Sequence, residues 1–337
     1  AEVGEARVER LQGVLARTWK GHTGVLRFCT SDCQERLIIT GGRDGTVRLW
    51  GVQSSACRGI YTGHRNTVYW GEMLNELGSI ASCDGELHLW DAELLQRLHT
   101  MRATLSSGHT THFTAAHALP WGSPGGGCTV LGCSERLPGP VAVTLFDVRA
   151  RGRGPELHLP PSVNNITSVA AFGDSLCVCS CTGQALLLDI RSGGVRAQWQ
   201  AHEAAITGVR VHGQGTVVSA STDRTLAVWN TEECTQGPGA DAWARAWEHR
   251  PVSTWAPGGE GEETAERLFL TEPIVGLTEL WGNVVAGLGQ GVVLACPPGR
   301  VSESRLKLKC EIKCVGSMPH SGWLLAGCQD GRLRAVY

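Results

Sequence analysis

One spacing of histidine, aspartate and tryptophan recurs in the chain and constrains its fold more than any other feature. In each clear copy an aspartate follows the histidine by 20 to 22 positions, and a tryptophan follows the aspartate by six. Each aspartate stands in a tight turn, and β-branched residues alternate with other residues on both sides of it. This pattern predicts a strand–turn–strand unit. The repeat is about 40 residues long, which is typical of arrays of small β-sheets. The three copies are His22–Asp44–Trp50, His64–Asp84–Trp90 and His202–Asp223–Trp229.

Weaker copies occupy the remaining sequence and bring the number of units to seven. They keep the paired strands but replace the turn aspartate, for example by Thr182 and Gln290, or restore it as Asp330. The last unit ends at Tyr337 after its third strand, while a strand-like segment over 14–19 precedes the first unit. Pairing of these two segments would complete the last sheet and leave no open edge. We therefore expect an all-β, seven-bladed propeller that is closed by its N-terminal strand.

These units resemble the WD40-repeat family, whose propeller blades contain four strands and carry Gly-His and Trp-Asp marks. We accordingly expect an N-terminal extension over 1–13 and a single propeller domain over 14–337. The stretches GHRNTVYW, SIASCDGELHLWD and WQAHEAAI are similar to the C-terminal WD40 domain of BEACH-domain scaffold proteins. The resemblance points to the branch with a kinase-like region and a role in endosomal traffic and aggregate clearance. Because the chain lacks an initiating methionine, we expect a fragment of a longer protein.

The family resemblance implies that each histidine set is a structural hydrogen-bond network. A Trp indole, a Ser or Thr hydroxyl, a His and an Asp would link the inner turn of a blade to its third strand. Hydrolase triads use the same residue types, but the constellation recurs and lacks a Gly-x-Ser-x-Gly elbow. The second unit is one residue short, so Ser82 fits the pattern least well. The predicted networks are His22, Thr40, Asp44 and Trp50; His64, Ser82, Asp84 and Trp90; and His202, Ser219, Asp223 and Trp229.

Charge and cysteine content argue against several functional classes. The chain has 30 Lys and Arg against 32 Asp and Glu, and the resulting net charge of −2 gives no general attraction to nucleic acid or anionic lipid. No apolar run approaches the roughly 20 residues that cross a bilayer. The 14 cysteines include no Cys-x-x-Cys pair, which removes the usual zinc and redox spacings. We expect free thiols, a cytosolic location, no metal, no cofactor and no enzymatic activity.

The function predicted from these patterns is a platform for protein–protein interaction. A ring of short sheets is rigid and presents loops whose backbones are fixed. The resemblance implies recruitment of protein partners to endosomal or autophagic membranes, with membrane contact supplied by the rest of the parent protein. Candidate contact residues lie beside the turns at the rim of the central channel, and ordinary solvated surface is the alternative for each. They are Arg43, Arg65, Glu203, Thr222, Arg224, Gln329 and Arg332.

An alternative function follows from two successive units that end in a hydrophobic residue followed by Asp-x-Arg. The segments FDVR and LDIR place Asp147 beside Arg149 and Asp189 beside Arg191. They resemble the motif by which many WD40 substrate receptors engage the propeller adaptor of cullin–RING ubiquitin ligases. Local capping of a strand end by the aspartate explains the same residues, and both interpretations stay open at this point.

Overall fold

The fold is built almost entirely from antiparallel β-strands. Its described part contains 30 strands and one short 3-10 helix, Asn75–Leu77. Within that part no helix has the length and apolar character to cross a membrane. The predicted extension over 1–13 lies outside the described residues. The computed structural model describes residues 14–104, 110–119, 129–135, 141–212, 216–231, 267–269, 272–295, 305–308 and 310–337.

The described strands form seven four-stranded sheets and one two-stranded ribbon. We number the four-stranded sheets 1 to 7 in chain order. Sheet 1 contains β2 (Leu26–Ser31), β3 (Leu37–Gly42), β4 (Val47–Gly51) and β5 (Cys57–Tyr61). Sheet 2 contains β6 (Trp70–Leu74), β7 (Ser79–Cys83), β8 (Leu87–Asp91) and β9 (Arg97–Met101). The ribbon joins β10 (Ala103–Thr104) to β11 (Thr110–Thr111).

Sheets 3 to 5 repeat this order of four strands that follow one another in the chain. Sheet 3 contains β12 (Phe113–Ala118), β13 (Thr129–Ser134), β14 (Ala142–Asp147) and β15 (Gly152–His158). Sheet 4 contains β16 (Ile166–Phe172), β17 (Ser175–Ser180), β18 (Gln184–Asp189) and β19 (Val195–Gln200). Sheet 5 contains β20 (Ile206–His212), β21 (Thr216–Ser221), β22 (Thr225–Asn230) and β23 (Arg267–Phe269).

Sheet 6 keeps the same order, whereas sheet 7 combines strands from the two ends of the chain. Sheet 6 contains β24 (Ile274–Leu280), β25 (Asn283–Leu288), β26 (Gly291–Ala295) and β27 (Arg305–Lys307). Sheet 7 contains β28 (Ile312–Met318), β29 (Trp323–Cys328), β30 (Leu333–Val336) and β1 (Leu15–Trp19). Its strand order is β1-β30-β29-β28, so β1 lies at the outer edge.

Hydrophobic clusters between neighbouring sheets hold the described architecture together. Each cluster combines fully buried side chains from two sheets that are consecutive in the chain, and sheet 7 shares a further cluster with sheet 1. Removing such a side chain from water contributes about 1.5–3 kcal/mol. This arrangement confirms the prediction of an all-β propeller. Representative pairs are Ile39 with Ile80, Leu87 with Phe113, Leu131 with Val178, Cys177 with Val209, Ala220 with Leu277, Val285 with Leu324, and Leu325 with Leu26.

The two ends of the described chain lie side by side in sheet 7. Strand β1 pairs antiparallel with β30, where Trp19 lies opposite Leu333. Beyond the paired strands, Val14 N–H donates to the Tyr337 carbonyl at 3.2 Å. On the connection between β2 and β3 of sheet 1, the Glu35 carboxylate accepts the backbone N–H of His320 at 2.6 Å, which adds a polar contact between sheets 1 and 7.

Candidate functional site

Sheet 5 contains one of the three histidine networks. The Trp229 indole N–H donates to the Ser219 hydroxyl oxygen at 2.8 Å, and that oxygen lies 2.7 Å from His202 Nε2. His202 Nδ1 lies 3.0 Å from Asp223 Oδ2 and 2.9 Å from Thr225 Oγ1. Because the Ser219 oxygen accepts the indole proton, its own proton is directed to Nε2, and Nδ1–H is left to donate to Asp223. The network therefore ties the loop before β20 to β21, β22 and the turn between them.

The Asp223 carboxylate is the hub of this network. Its Oδ1 accepts the Thr225 backbone N–H at 2.9 Å, and its Oδ2 accepts the Glu203 backbone N–H at 3.1 Å. Burial raises the pKa of Asp223, but hydrogen bonds from His202 and Thr225 outweigh burial and leave the pKa below its ordinary value. Asp223 is therefore ionised at neutral pH, and its charge strengthens the hydrogen bonds that fix both segments.

Sheet 1 repeats the network with a threonine in place of the serine. The Trp50 indole N–H donates to Thr40 Oγ1 at 2.7 Å, and that oxygen lies 2.8 Å from His22 Nε2. His22 Nδ1 lies 2.9 Å from Asp44 Oδ2. Burial lowers the pKa of His22, although Asp44 opposes this effect, so the ring is neutral at pH 7. The predicted residues of this set are thus brought together.

A further threonine takes part in each of these two networks and was missed by the sequence analysis. Thr46 Oγ1 donates to Asp44 Oδ1 at 2.9 Å, and Thr225 Oγ1 donates to Asp223 Oδ1 at 2.6 Å. Each threonine stands two residues after the aspartate, so Asp-x-Thr was a readable signal. This threonine adds to the histidine and to backbone N–H groups as a donor that lowers the pKa of each half-buried carboxylate.

The connection in sheet 2 is two residues shorter than in sheet 1, and the predicted difference of one residue was wrong. The innermost register pair of sheet 2, Cys83 with Leu87, leaves three residues between the strands. In sheet 1 the pair Gly41 with Val47 leaves five. Gly85 makes the tighter turn possible because its φ of 113° lies where residues with a side chain are strained.

Ser82 nevertheless occupies the hydroxyl position of the network in sheet 2. The Trp90 indole N–H donates to Ser82 Oγ at 2.9 Å, and that oxygen lies 2.7 Å from His64 Nε2. His64 Nδ1 lies 3.1 Å from Asp84 Oδ1. Asp84 Oδ2 also accepts the Arg65 backbone N–H at 3.0 Å. The shorter turn therefore brings its carboxylate close to the histidine by a different path, without a hydrogen bond to His64 Nδ1.

The three hydroxyl groups are enclosed in the protein. Thr40 and Ser82 are each 0% exposed, and Ser219 is 1% exposed. A hydrolase nucleophile has to contact its substrate, whereas each of these oxygens already accepts an indole N–H and lies against a histidine. What the arrangement provides chemically is a relay of oriented hydrogen bonds that fixes a loop to a sheet.

A second histidine stacks on the network of sheet 2. The His64 and His88 rings lie 4.2 Å apart at an angle of 10°, and the Tyr61 ring stacks on Trp90 at 4.6 Å. The Tyr61 hydroxyl lies 3.0 Å from His88 Nδ1. The sequence analysis did not single out His88. Its position in β8 gave no signal, because the stack exists only once β8 lies beside the loop that carries His64.

The side chains of His64, Asp84 and His88 place their ligand atoms within 4.8 Å of one another, as a metal site would. An imidazole binds a metal ion in the plane of its ring. Two nearly parallel rings stacked face to face cannot both direct a nitrogen to one ion. The geometry therefore favours a stacked pair of rings over a metal centre.

The stacked pair gives a testable pH dependence. Burial, helped by the neighbouring His64 and Arg97 and opposed by Asp84 and Glu86, lowers the pKa of His88 to about 4. A histidine with a lowered pKa binds its proton more readily in the unfolded chain. The contribution of the neutral His88 ring to the free energy of unfolding is complete above about pH 6.5 and is lost as the pH falls toward 4. About 2 kcal/mol of stability is therefore lost between pH 7.5 and 5.

The variant His88→Gln isolates this contribution because glutamine offers an acceptor to Tyr61 and does not titrate. We expect its free energy of unfolding, measured by urea denaturation at several pH values, to fall less steeply toward pH 5 than that of the wild type. Other groups titrate equally in both proteins, so the difference between the two curves is the readout. Parallel curves would show that His88 is not the titrating group.

The seven predicted contact residues have exposed side chains on backbone that is fixed by hydrogen bonds. In each case the backbone N–H donates to a neighbouring carbonyl or carboxylate, at 2.8 to 3.2 Å. Fixed backbone under exposed side chains lowers the entropy lost on binding. The donor–acceptor pairs are Arg43 with the Val25 carbonyl, Arg65 with Asp84, Glu203 with Asp223, Thr222 with the Ala205 carbonyl, Arg224 with the Ser221 carbonyl, Gln329 with the Glu311 carbonyl, and Arg332 with Asp330.

These residues belong to one face of the described sheets, which we call the rim face. In a four-stranded antiparallel sheet, the turn between the second and third strands lies at the same end as the connection to the next sheet. Contacts between sheets occur there, since Phe113 N–H donates to the Gly85 carbonyl at 2.9 Å and His202 N–H donates to the Gly183 carbonyl at 3.0 Å. The turn of one sheet thus supports the loop that leads into the next.

A groove borders the rim face where sheets 1 and 2 meet. Its lining includes the exposed Ile60, the Leu95 side chain and two arginines, Arg65 and Arg97. The combination of apolar side chains and guanidinium groups is of the kind that protein-binding surfaces use. Arg65 is the member of the predicted set that lines this groove.

The two Asp-x-Arg segments lie at the opposite face and make local hydrogen bonds. Asp147 Oδ1 accepts the backbone N–H of Arg149 at 2.9 Å, and Asp189 Oδ1 accepts that of Arg191 at 2.8 Å. The Asp189 carboxylate also forms an ion pair with the Arg196 guanidinium. These contacts match the strand-end capping that the sequence offered as the simpler explanation.

Comparison with known proteins adds independent findings. The WD40 family model (WD domain, G-beta repeat) matches residues 13–51 and 193–230, which carry most of the two networks with a threonine in the turn. The chain is similar to WD repeat-containing protein 81 of Rattus norvegicus, with 29% identity over 228 residues, or 64% of this chain and 11% of that protein. The Homo sapiens protein of the same name is 28% identical over the same shares.

Suppressor of organelle fusion 2 of Caenorhabditis elegans is a more distant relative. It is 25% identical over 231 residues, which are 64% of this chain and 15% of that protein. The chain therefore matches only a small part, 11% to 15%, of the length of these relatives.

Proposed function

We propose that this chain is a non-enzymatic platform that binds other proteins through its rim face. It carries WD40 repeats and is similar to WD repeat-containing protein 81. The observation that carries the proposal is the set of seven exposed side chains whose backbone N–H groups are all fixed. Exposed side chains on a fixed backbone are suited to recognition of a partner protein. The enclosed hydroxyl groups of the three networks are suited instead to holding the loops of the rim face in place.

The platform is proposed to be one domain, a closed ring of seven blades over residues 14–337. Two observations support a closed ring. Buried side chains cluster between each pair of consecutive sheets and between sheets 7 and 1. In addition, β1 pairs with β30, so the first strand of the chain belongs to the last sheet. Closure would remove free sheet edges at this junction and keep the rim residues at fixed mutual positions.

The biological setting is proposed from relatives. The printed name of the Caenorhabditis elegans relative refers to organelle fusion, and the sequence resembles the C-terminal propeller of BEACH-domain scaffold proteins. Both support a role in endosomal membrane traffic and autophagy. The propeller would bind protein partners at these membranes, and other parts of a longer protein would supply the membrane contact.

Charge reversal on the rim face tests the binding role. We expect the double variant Arg43→Glu, Arg65→Glu to capture about tenfold less of the partner proteins retained by the wild type, which corresponds to about 1.4 kcal/mol. The measurement is quantitative mass spectrometry of proteins captured from a detergent-solubilised membrane fraction. Circular dichroism of both variants verifies that the fold is retained.

The matched control places the same charge change on the opposite face. Arg149→Glu, Arg191→Glu is expected to capture the same partners as the wild type. This control also tests the ligase alternative, since these arginines belong to the two Asp-x-Arg segments. Loss of a propeller adaptor from this control, together with unchanged capture by the rim variant, would contradict the proposed binding face.

A further inference from the structure

Cys310, just before β28, and Cys328, at the end of β29, lie unusually close together beside the rim face. Cys310 Sγ is 2.8 Å from Cys328 Sγ, although both are free thiols. The sulfur atoms of two free thiols usually lie farther apart than 2.8 Å. To form a disulfide bond of about 2.04 Å, these two sulfur atoms need to approach each other by only about 0.8 Å. The fold itself brings them together: Ile312 pairs with Cys328, so the segment before β28 passes the end of β29.

The two thiols differ in their access to solvent. Cys310 is half-buried, whereas Cys328 is fully buried at the end of its strand. A second pair nearby, Cys29 with Cys314, is buried on both sides and lies 3.9 Å apart. An oxidant in solution therefore meets Cys310 first, with Cys328 directly behind it.

We propose that Cys310 and Cys328 form a reversible disulfide by exchange with a small-molecule disulfide such as oxidised glutathione. The Cys310 thiolate attacks one sulfur of oxidised glutathione, which forms a mixed disulfide and releases one glutathione thiolate. The Cys328 thiolate then attacks the Cys310 sulfur and releases the second glutathione. Two electrons pass from the protein thiols to the small disulfide, and their two protons are taken up by the two glutathione products.

The neighbouring guanidinium of Arg334 offsets part of the barrier to the second step. Burial and the adjacent Cys310 raise the pKa of the Cys328 thiol, but Arg334 favours its thiolate form. Arg334 is held in place by Asp330, to which its Nη2 donates at 2.8 Å. Because burial still leaves the pKa of Cys328 above its ordinary value, the second step depends on the 2.8 Å approach of the two sulfur atoms.

The cross-link would act directly on a turn of the rim face. Cys328 N–H donates to the Arg332 carbonyl at 3.0 Å, and Gly331 N–H donates to the Cys328 carbonyl at 3.2 Å. Both ends of the turn that carries Gln329 and Arg332 are therefore attached to Cys328. An effect on partner binding rests on the proposed function, whereas formation of the cross-link does not.

Mass-spectrometric mapping tests the cross-link itself. The chain is equilibrated with mixtures of reduced and oxidised glutathione, free thiols are blocked with N-ethylmaleimide, and the digest is searched for linked peptides. We expect a Cys310–Cys328 peptide that accumulates with the share of oxidised glutathione and disappears after dithiothreitol. In Cys328→Ser, the mixed glutathione disulfide should stay on Cys310 because the second step is blocked.

The control is Cys33→Ser, which removes an exposed cysteine outside the pair and should leave the linked peptide unchanged. Glutathione that remains on Cys310 in the wild type would overturn the proposal, because Cys328 would then not act as the second thiol. A link from Cys310 to Cys29 or Cys314 would also overturn it. The wild-type map decides the question even if a serine variant folds poorly.

Discussion

Replacement of Trp19 by alanine is expected to lower the free energy of unfolding by about 4 kcal/mol, because removal of a buried tryptophan leaves a large cavity. The side chain is 1% exposed and lies 6.4 Å from the Trp323 ring. Its indole N–H also donates to the Gly51 carbonyl at 3.4 Å. Since Trp323 belongs to sheet 7 and Gly51 to sheet 1, one side chain on β1 joins the last sheet to the first.

The measurement is urea denaturation followed by circular dichroism, which does not depend on the fluorescence of the removed indole. Leu15→Ala is the matched control because Leu15 stands on the same strand but is 53% exposed. A change within about 0.5 kcal/mol is expected for the control. Equal effects of the two substitutions would contradict a joint between sheets 7 and 1 that depends on β1.

The pairing that makes Trp19 important could be predicted from counting strands. A last unit with three strands and an unassigned strand before the first unit leave one economical arrangement, and β1 does pair with β30. The propeller class was predictable for a similar reason, because a repeat forces every unit into one shape. Local alternation, turn residues and spacing all indicate the same sheet, so an error in one unit is corrected by the others.

The sequence was less informative where a unit departs from the repeat. In sheet 2 the turn is shortened by two residues, yet Gly85 adopts a φ of 113° and Asp84 still lies 3.1 Å from His64. The number of residues in a turn does not show which φ its glycine adopts. For this reason the sequence predicted that Ser82 fits the network least well. The stack of His88 on His64 is also unpredictable from spacing, since it depends on how a loop and a strand meet in space.

The rim face shows the same division between local and non-local information. Exposure of Arg43 and Arg65 follows from their places beside tight turns, and the structure shows both exposed. The neighbourhood of Arg65 with Arg97, Leu95 and Ile60 in one groove does not follow, because these residues come from two sheets. Sequence thus predicts which residues face solvent, whereas the packing of sheets decides which of them can meet one partner.

Replacement of His202 by alanine is expected to lower the free energy of unfolding by about 3 kcal/mol. The Ser219 hydroxyl loses its acceptor and the Asp223 carboxylate loses a donor, and each buried group left without its partner costs about 1–3 kcal/mol. Part of the cost is offset because Asp223 keeps the Thr225 hydroxyl at 2.6 Å and the Glu203 backbone N–H at 3.1 Å. The loop before β20 should loosen at His202, while the Ser221 hydroxyl on β21 still donates to the Ala205 carbonyl of that loop at 2.9 Å.

A double-mutant cycle with Ser219→Ala distinguishes a network from separate contacts. If Trp229, Ser219 and His202 form one relay, removal of either polar member already breaks it, so the double variant should lose less stability than the sum of the single variants. His158→Ala serves as the control because His158 is exposed on β15, and its effect should stay within about 0.5 kcal/mol. Strictly additive effects of the two substitutions would show that the short distances of 2.7 and 2.8 Å around Ser219 Oγ do not act as a unit. The loops of the rim face would then owe their positions to their backbone hydrogen bonds and to apolar packing.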